Sequence, residues 1–76
     1  MSAYRATKAQ FKFTAIQQDL HPVAGVRATA YGGPEGDQGA WVVVWYRDME
    51  VEINVGGVSS PIAKAKRIAN VVISHL

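Results

Sequence analysis

Residues 40–55 read AWVVVWYRDMEVEINV, and the two halves of this stretch follow different rules. From Ala40 to Tyr46 every position is apolar. From Met49 onward, Met49, Val51, Ile53 and Val55 alternate with Glu50, Glu52 and Asn54. Alternation of this kind marks a strand with one buried and one wet face. Only Arg47 and Asp48 separate the halves, so a tight hairpin joins them. In that hairpin Tyr46 pairs with Met49, Val44 with Val51 and Val42 with Ile53, and paired residues share a face. These residues form the expected core. The opposite face then carries Trp41, Val43 and Trp45 beside Asn54, Glu52 and Glu50.

Outward from the hairpin, GVSSP (57–61) breaks the sheet and opens a final helix. Ser59 or Ser60 can cap it, and Pro61 stands near its first position, where a missing N–H costs nothing. Ile62, Ala65, Ile68, Ala69, Val72, Ile73 and Leu76 share a broad apolar side of that helix. On the N-terminal side, GGPEGDQG (32–39) reads as a turn-rich loop and VRATAY (26–31) as a strand. The stretch TKAQFKFTAIQQDLHP (7–22) is ambiguous. Thr7 and Gln10 have capping-box spacing, Pro22 would stop a helix after Leu20, and Ala9, Phe13, Ile16 and Leu20 fall within about 60° on a helical wheel. Yet Ala9, Phe11, Phe13 and Ala15 also alternate as a strand would. Phe11 separates the readings: a helix leaves it wet, a strand buries it beside Phe13. The stop signal and AIQQDL favour the helix.

The expected architecture is therefore α+β: one domain over 1–76, with residues 1–6 as a flexible arm. Its order is α-β-β-β-α, a three-stranded antiparallel sheet with both helices packed on one face. A ββββα meander is the alternative.

The chain has 76 residues, 49% of them hydrophobic and 18% charged, which suits one small globular domain and no disordered one. With no cysteine, disulfides and thiolate chemistry are excluded. No apolar run approaches the roughly 18 residues of a membrane span, and MSAYRATKAQ lacks a signal-peptide core. A cytoplasmic protein without membrane contact is the expectation. The net charge of +2 and pI near 9.2 permit a nucleic-acid partner without demanding one.

Catalytic patterns are missing. His21 and His75 have no second ligand at metal spacing, and Glu35 with Asp37 falls far short of a calcium loop. No phosphate-binding glycine motif or nucleophile elbow occurs, and Ser59 and Ser60 have no recognisable base. The chain is expected to be no enzyme, with no cofactor, no metal and no small-molecule substrate.

If both helices pack on one face, Trp41, Val43 and Trp45 lie on a face that nothing in the chain covers. Burying a large aromatic brings roughly 1.5–3 kcal/mol, so two tryptophans in water are a sizeable unused driving force. Three readings follow. Tyr4 and the N-terminal arm fold over them; they form a contact surface for a protein partner or a homodimer; or they stack single-stranded bases. Glu50 and Glu52 would repel a phosphate backbone, which favours protein, with the two glutamates as a polar rim. A separate cluster lies on the last helix, where Lys64 and Arg67 share an exposed side and Lys66 stands at its edge. Lys8 and Lys12 could add to it only if both helices present their charges to the same side.

This layout resembles the double-stranded-RNA-binding domain family over residues 7–76. The resemblance rests on the αβββα order, Gly33-Pro34 between the first two strands, Trp41 opening the second, and SSPIAK at the start of the last helix. It implies reading of A-form shape by the first helix, the Gly-Pro loop and the last helix. Ser59, Ala63 and Lys64 match the family pattern. Ser60 and Pro61 stand where it has lysines, the loop histidine is missing, and Glu35 and Asp37 are acidic where a phosphate would approach.

The expected function is a small non-enzymatic binding protein acting through Trp41, Val43 and Trp45. A chain of this size also suits an inhibitor or adaptor of a phage or other mobile element, of the anti-CRISPR kind, an expectation from context rather than from residues. The alternative is double-stranded RNA binding through Lys8, Lys12, Lys64, Lys66 and Arg67.

Overall fold

The structure, a computed structural model, describes residues 2–76. Its elements are β1 (Ser2–Arg5), α1 (Lys8–Gln17), β2 (His21–Pro22), β3 (Thr29–Pro34), β4 (Ala40–Tyr46), β5 (Met49–Val55) and α2 (Pro61–Ser74). One antiparallel sheet holds all five strands in the order β1-β5-β4-β3-β2. The expected hairpin register is found: Tyr46 opposes Met49, Val44 opposes Val51 and Val42 opposes Ile53. The α+β class holds, while the three-stranded sheet is replaced by five strands.

The two extra strands come from segments that carry little strand signal. Ser2–Arg5, expected as part of a loose arm, pairs with Met49–Glu52 along the free edge of β5; Met1 of that arm lies outside the described residues. His21–Pro22, expected only as a helix stop, pairs with Tyr31 and Gly32 at the other edge. Its proline sits on an edge strand, where a missing N–H is tolerated. The third strand is also displaced. It runs through Gly32, Gly33 and Pro34 instead of ending before them. Here the glycines serve close approach: a Cβ on Gly32 would lie 3.1 Å from both the Trp41 carbonyl oxygen and Val42 Cγ2.

This strand order dictates where the helices go. β1 and β2 lie on opposite edges, so the helix between them must cross a face of the sheet. At about 1.5 Å per residue, ten residues reach roughly 15 Å, close to the width of the strands between. α1 therefore lies over the centre of the sheet and packs Phe11, Ala15 and the following Leu20 against Val43, with Tyr31, Trp41 and Trp45 around them. Phe11 meets Tyr31 edge-on, with ring centroids 5.6 Å apart. α2 packs Ala65, Ala69 and Ile73 on the other face, against Ala30, Val42, Val44, Val51 and Ile53. The helices thus occupy opposite faces, and the expectation of both on one face is overturned. Because residues 8–17 are helical, the meander with this stretch as its first strand does not hold either.

Local chemistry fixes both ends of α1. The Gln10 amide donates to Thr7 Oγ1 at 3.2 Å, and the Thr7 amide donates to Gln10 Oε1 at 2.9 Å, a complete capping box. At the other end Asp19 takes a left-handed conformation, φ 56°. The Asp19 amide donates to the Ile16 carbonyl and the Leu20 amide to the Ala15 carbonyl, at 3.1 and 2.9 Å. That pair is a Schellman stop, and it ends α1 before Pro22 is reached. α2 starts at Pro61 as expected, but Ser60 sits at φ 48° and makes no side-chain cap. Neither helix is long and apolar enough to cross a membrane.

Candidate protein-binding site

The residues expected to form an open tryptophan face lie together, as their register requires, but under α1. Val43 is fully buried, Trp41 and Trp45 are half-buried, and Glu50 is 1% exposed. The Trp45 indole N–H donates to the Ala6 carbonyl at 3.1 Å, tying the sheet to the segment that leads into α1. The Lys8 ammonium sits 5.7 Å from the Trp45 ring centre, a cation–π contact. These tryptophans hold the first helix down. They are a second core and offer no uncovered sheet face.

Glu50 and Glu52 form no polar rim. Tyr4, delivered by β1, donates its hydroxyl hydrogen to Glu50 Oε2 and lies 2.8 Å from Glu52 Oε2. The edge strand is thereby clamped to β5 through side chains as well as backbone. Desolvation of the hydroxyl, and then the two carboxylates beside it, push the Tyr4 phenol well above its ordinary range. The arm carrying Tyr4 was one expected cover for the tryptophans; Tyr4 instead covers the glutamates, and α1 covers the tryptophans.

α1 turns an apolar stripe outward, and Ile68, Val71 and Leu76 of the C-terminal segment are exposed as well. On a wheel, Phe11 and Ala15 point to the sheet, and Ala9, Phe13 and Ile16 lie on the opposite side within about 60°. Phe13 is 62% exposed and Ile16 is 72% exposed. Lys12 flanks this stripe on one side, with Gln10 and Gln17 on the other, all exposed. A helix that is apolar on two opposite faces satisfies only one of them by packing on its own sheet. The expected stripe is divided: Ala9, Phe13 and Ile16 face away from the sheet, Leu20 lies past the end of α1 and is buried against it, and Phe11, assigned to the wet side of a helix, is the buried anchor. The strand-like alternation of Phe11 and Phe13 was the available signal, since residues two apart lie about 200° apart on a helix.

The basic residues do not converge. Lys8 and Lys12 ride on α1 and Lys64, Lys66 and Arg67 on α2, on opposite faces of the sheet. The backbone of Arg27 is held against α2. Asn70 accepts the Arg27 amide at 2.9 Å and donates to the Gly25 carbonyl at 2.8 Å, which pins the 25–27 loop against α2 beside Lys66. Lys64 reaches Ser59 Oγ at 3.3 Å. Among the described residues the one ion-pair contact is His21 Nε2 to Asp19 Oδ1, 3.8 Å, so no lysine or arginine is paired with a carboxylate.

A shallow, open groove of about 600 Å³ lies at the start of α1, between Arg5, Lys8, Gln10, Trp45 and Asp48. Thr7 also lines it, with its hydroxyl oxygen accepting the Gln10 amide. Among the described residues no group of three or more His, Cys, Asp or Glu side chains is placed to hold a metal ion. No protein-family model, curated protein or solved structure matches this chain.

Proposed function

We propose that this protein is a small non-enzymatic binding module, an inhibitor or adaptor that acts by occupying a protein partner, and that it does so through the outward face of α1. The observation that carries this reading is the exposure of Phe13 and Ile16, 62% and 72%, on a ten-residue helix already anchored by Phe11 and Ala15. A large apolar side chain in water is an unused driving force of roughly 1.5–3 kcal/mol, and exposed apolar stripes with polar margins mark contact surfaces. The aromatic ring supplies the kind of anchor that dominates binding energy.

The test compares proteins retained from a cell extract by the immobilised wild-type chain with those retained by Phe13→Asp and Ile16→Asp. A partner held by wild type, lost by both variants, and binding the purified wild type at least tenfold more tightly than either variant is the expected result. Equal retention by all three contradicts the assignment of the face.

A second reading is weak binding of duplex RNA through Lys64, Lys66 and Arg67, which share α2 and are paired with no carboxylate among the described residues. Charge-driven binding weakens steeply with salt, with a log–log slope of about −0.9 per phosphate neutralised on B-DNA and of similar order on other duplexes. Titration of a labelled RNA duplex at two salt concentrations decides it. Binding that collapses with salt and weakens in Lys66→Ala supports this reading; no binding at low salt removes it.

A further inference from the structure

We propose that the outward side of α2 lies on an anionic lipid surface, which orients the molecule with α1 turned away from the bilayer. The division of charge across the sheet carries the inference. Residues 56–76 hold Lys64, Lys66 and Arg67 and no acidic residue. All six carboxylates of the chain lie elsewhere. Glu50 and Glu52 pair across the sheet with Trp45 and Val43 on the α1 face, Asp48 lines the groove at the start of α1, and Asp19 follows that helix. Glu35 bonds Asn54, whose cross-strand partner Trp41 also belongs to the α1 face, and Asp37 stands in the loop after β3. The α2 side is therefore cationic, and its lysines and arginine are in no ion pair among the described residues.

That charge suits any polyanion, and the aliphatic side chains beside it narrow the choice. Val71 is 53% exposed, Leu76 47% and Ile68 40%. On a wheel Val71 falls between Lys64 and Arg67, opposite the buried Ala65, Ala69 and Ile73, with Ile68 at the flank. A phosphate backbone offers such side chains nothing to meet. A bilayer interface sets anionic headgroups beside the acyl boundary, so it takes up lysine, arginine and exposed aliphatics together.

The shape agrees with a flat contact. Two helix-to-sheet spacings of about 10 Å account for the short axis of a molecule measuring 32 × 28 × 20 Å. α2, 14 residues and roughly 21 Å long, thus runs across a broad side. No helix among the described residues is long and apolar enough to cross a membrane, so the contact is with its surface. In this orientation Phe13 and Ile16 point away from the lipid and stay open to a protein partner. The two faces are independent, and each is tested by its own experiment.

Cosedimentation of the wild-type chain with vesicles is the test. Phosphatidylcholine vesicles with about one-third phosphatidylserine are expected to bring the chain down at low salt, and pure phosphatidylcholine vesicles are not. Each cation near such a surface is worth about fivefold in partitioning, so Arg67→Glu, at an exposed position, is expected to weaken binding more than tenfold. Val71→Ser leaves the charge unchanged and is expected to weaken it several-fold. Both variants stay folded by circular dichroism, and Phe13→Asp, on the other helix, binds as wild type does. No binding to the anionic vesicles, or equal binding to the neutral ones, overturns the proposal. Binding lost in Phe13→Asp but kept in Arg67→Glu overturns the assignment to α2. Binding indifferent to Val71→Ser, with a labelled RNA duplex held more tightly at the same salt, gives the cations to nucleic acid instead.

Discussion

Phe11 and Phe13 stand two residues apart on one helix and meet opposite environments. Phe11 is fully buried against Tyr31, and Phe13 is mostly in solvent. The apolar content of α1 is legible in the sequence; which aromatic points inward is not, because it depends on how the helix rolls on a sheet whose edges are unknown. Tyr4 shows a similar limit, since nothing local predicts that its phenol settles between Glu50 and Glu52. Tyr4→Phe leaves the buried Glu50 carboxylate without that donor, and a buried acceptor deprived of its partner costs about 1–3 kcal/mol. Urea unfolding at neutral pH reads the loss. The phenol also links stability to pH. Its folded pKa lies above the unfolded value of about 10, so its contribution is complete below that pH and fades above it, where the unfolded chain loses a proton that the folded protein keeps. The stability difference between wild type and Tyr4→Phe is therefore expected to be constant from neutral pH to about pH 10 and to shrink above it. A difference that grows with pH in that range contradicts the clamp.

At the scale of elements, the β4–β5 hairpin, its register and the start of α2 are legible because two-residue spacing and a proline at the first helical position are local signals, although the expected serine cap is not made. The hairpin turn is less favourable than its geometry permits. Arg47 and Asp48 both hold positive φ, 50° and 63°, the conformation in which Asn-Gly is preferred. Replacing Arg47 and Asp48 with Asn and Gly relieves two strained residues at the loss of the Arg47–Tyr46 cation–π contact, for a net gain of about 1 kcal/mol. A higher urea midpoint with an unchanged slope is the expected signature. The start of α1 is legible too, through Thr7 and Gln10. Thr7→Ala removes one half of the capping box and costs about 1 kcal/mol, readable as a lower thermal midpoint. β1 and β2 are not legible. They are four and two residues long, and only the partners that receive them make them strands.

Across the whole molecule, the placement of β1 and β2 on opposite edges decides which face α1 covers. A three-stranded sheet leaves room for both helices on one side, and the tryptophans are then left bare. With five strands, the β1-to-β2 connection must cross a face, and α1 becomes the cover for Trp41, Val43 and Trp45. The unmatched apolar surface does not vanish; it moves from the sheet to the outer side of the covering helix. The basic residues are divided in the same way, α1 carrying Lys8 and Lys12 on one side of the molecule and α2 carrying Lys64, Lys66 and Arg67 on the other. The mild net charge of +2 hides that separation.

The direct test of the two-faced helix is the urea unfolding of Phe11→Ala and Phe13→Asp beside the wild type, at dilute protein concentration. Phe11→Ala is expected to lose about 3–5 kcal/mol, as truncation of a buried phenylalanine does, and Phe13→Asp to stay within about 0.5 kcal/mol. The reverse pattern would show that Phe13 holds the fold, and the outward face of α1 would then not be free to bind.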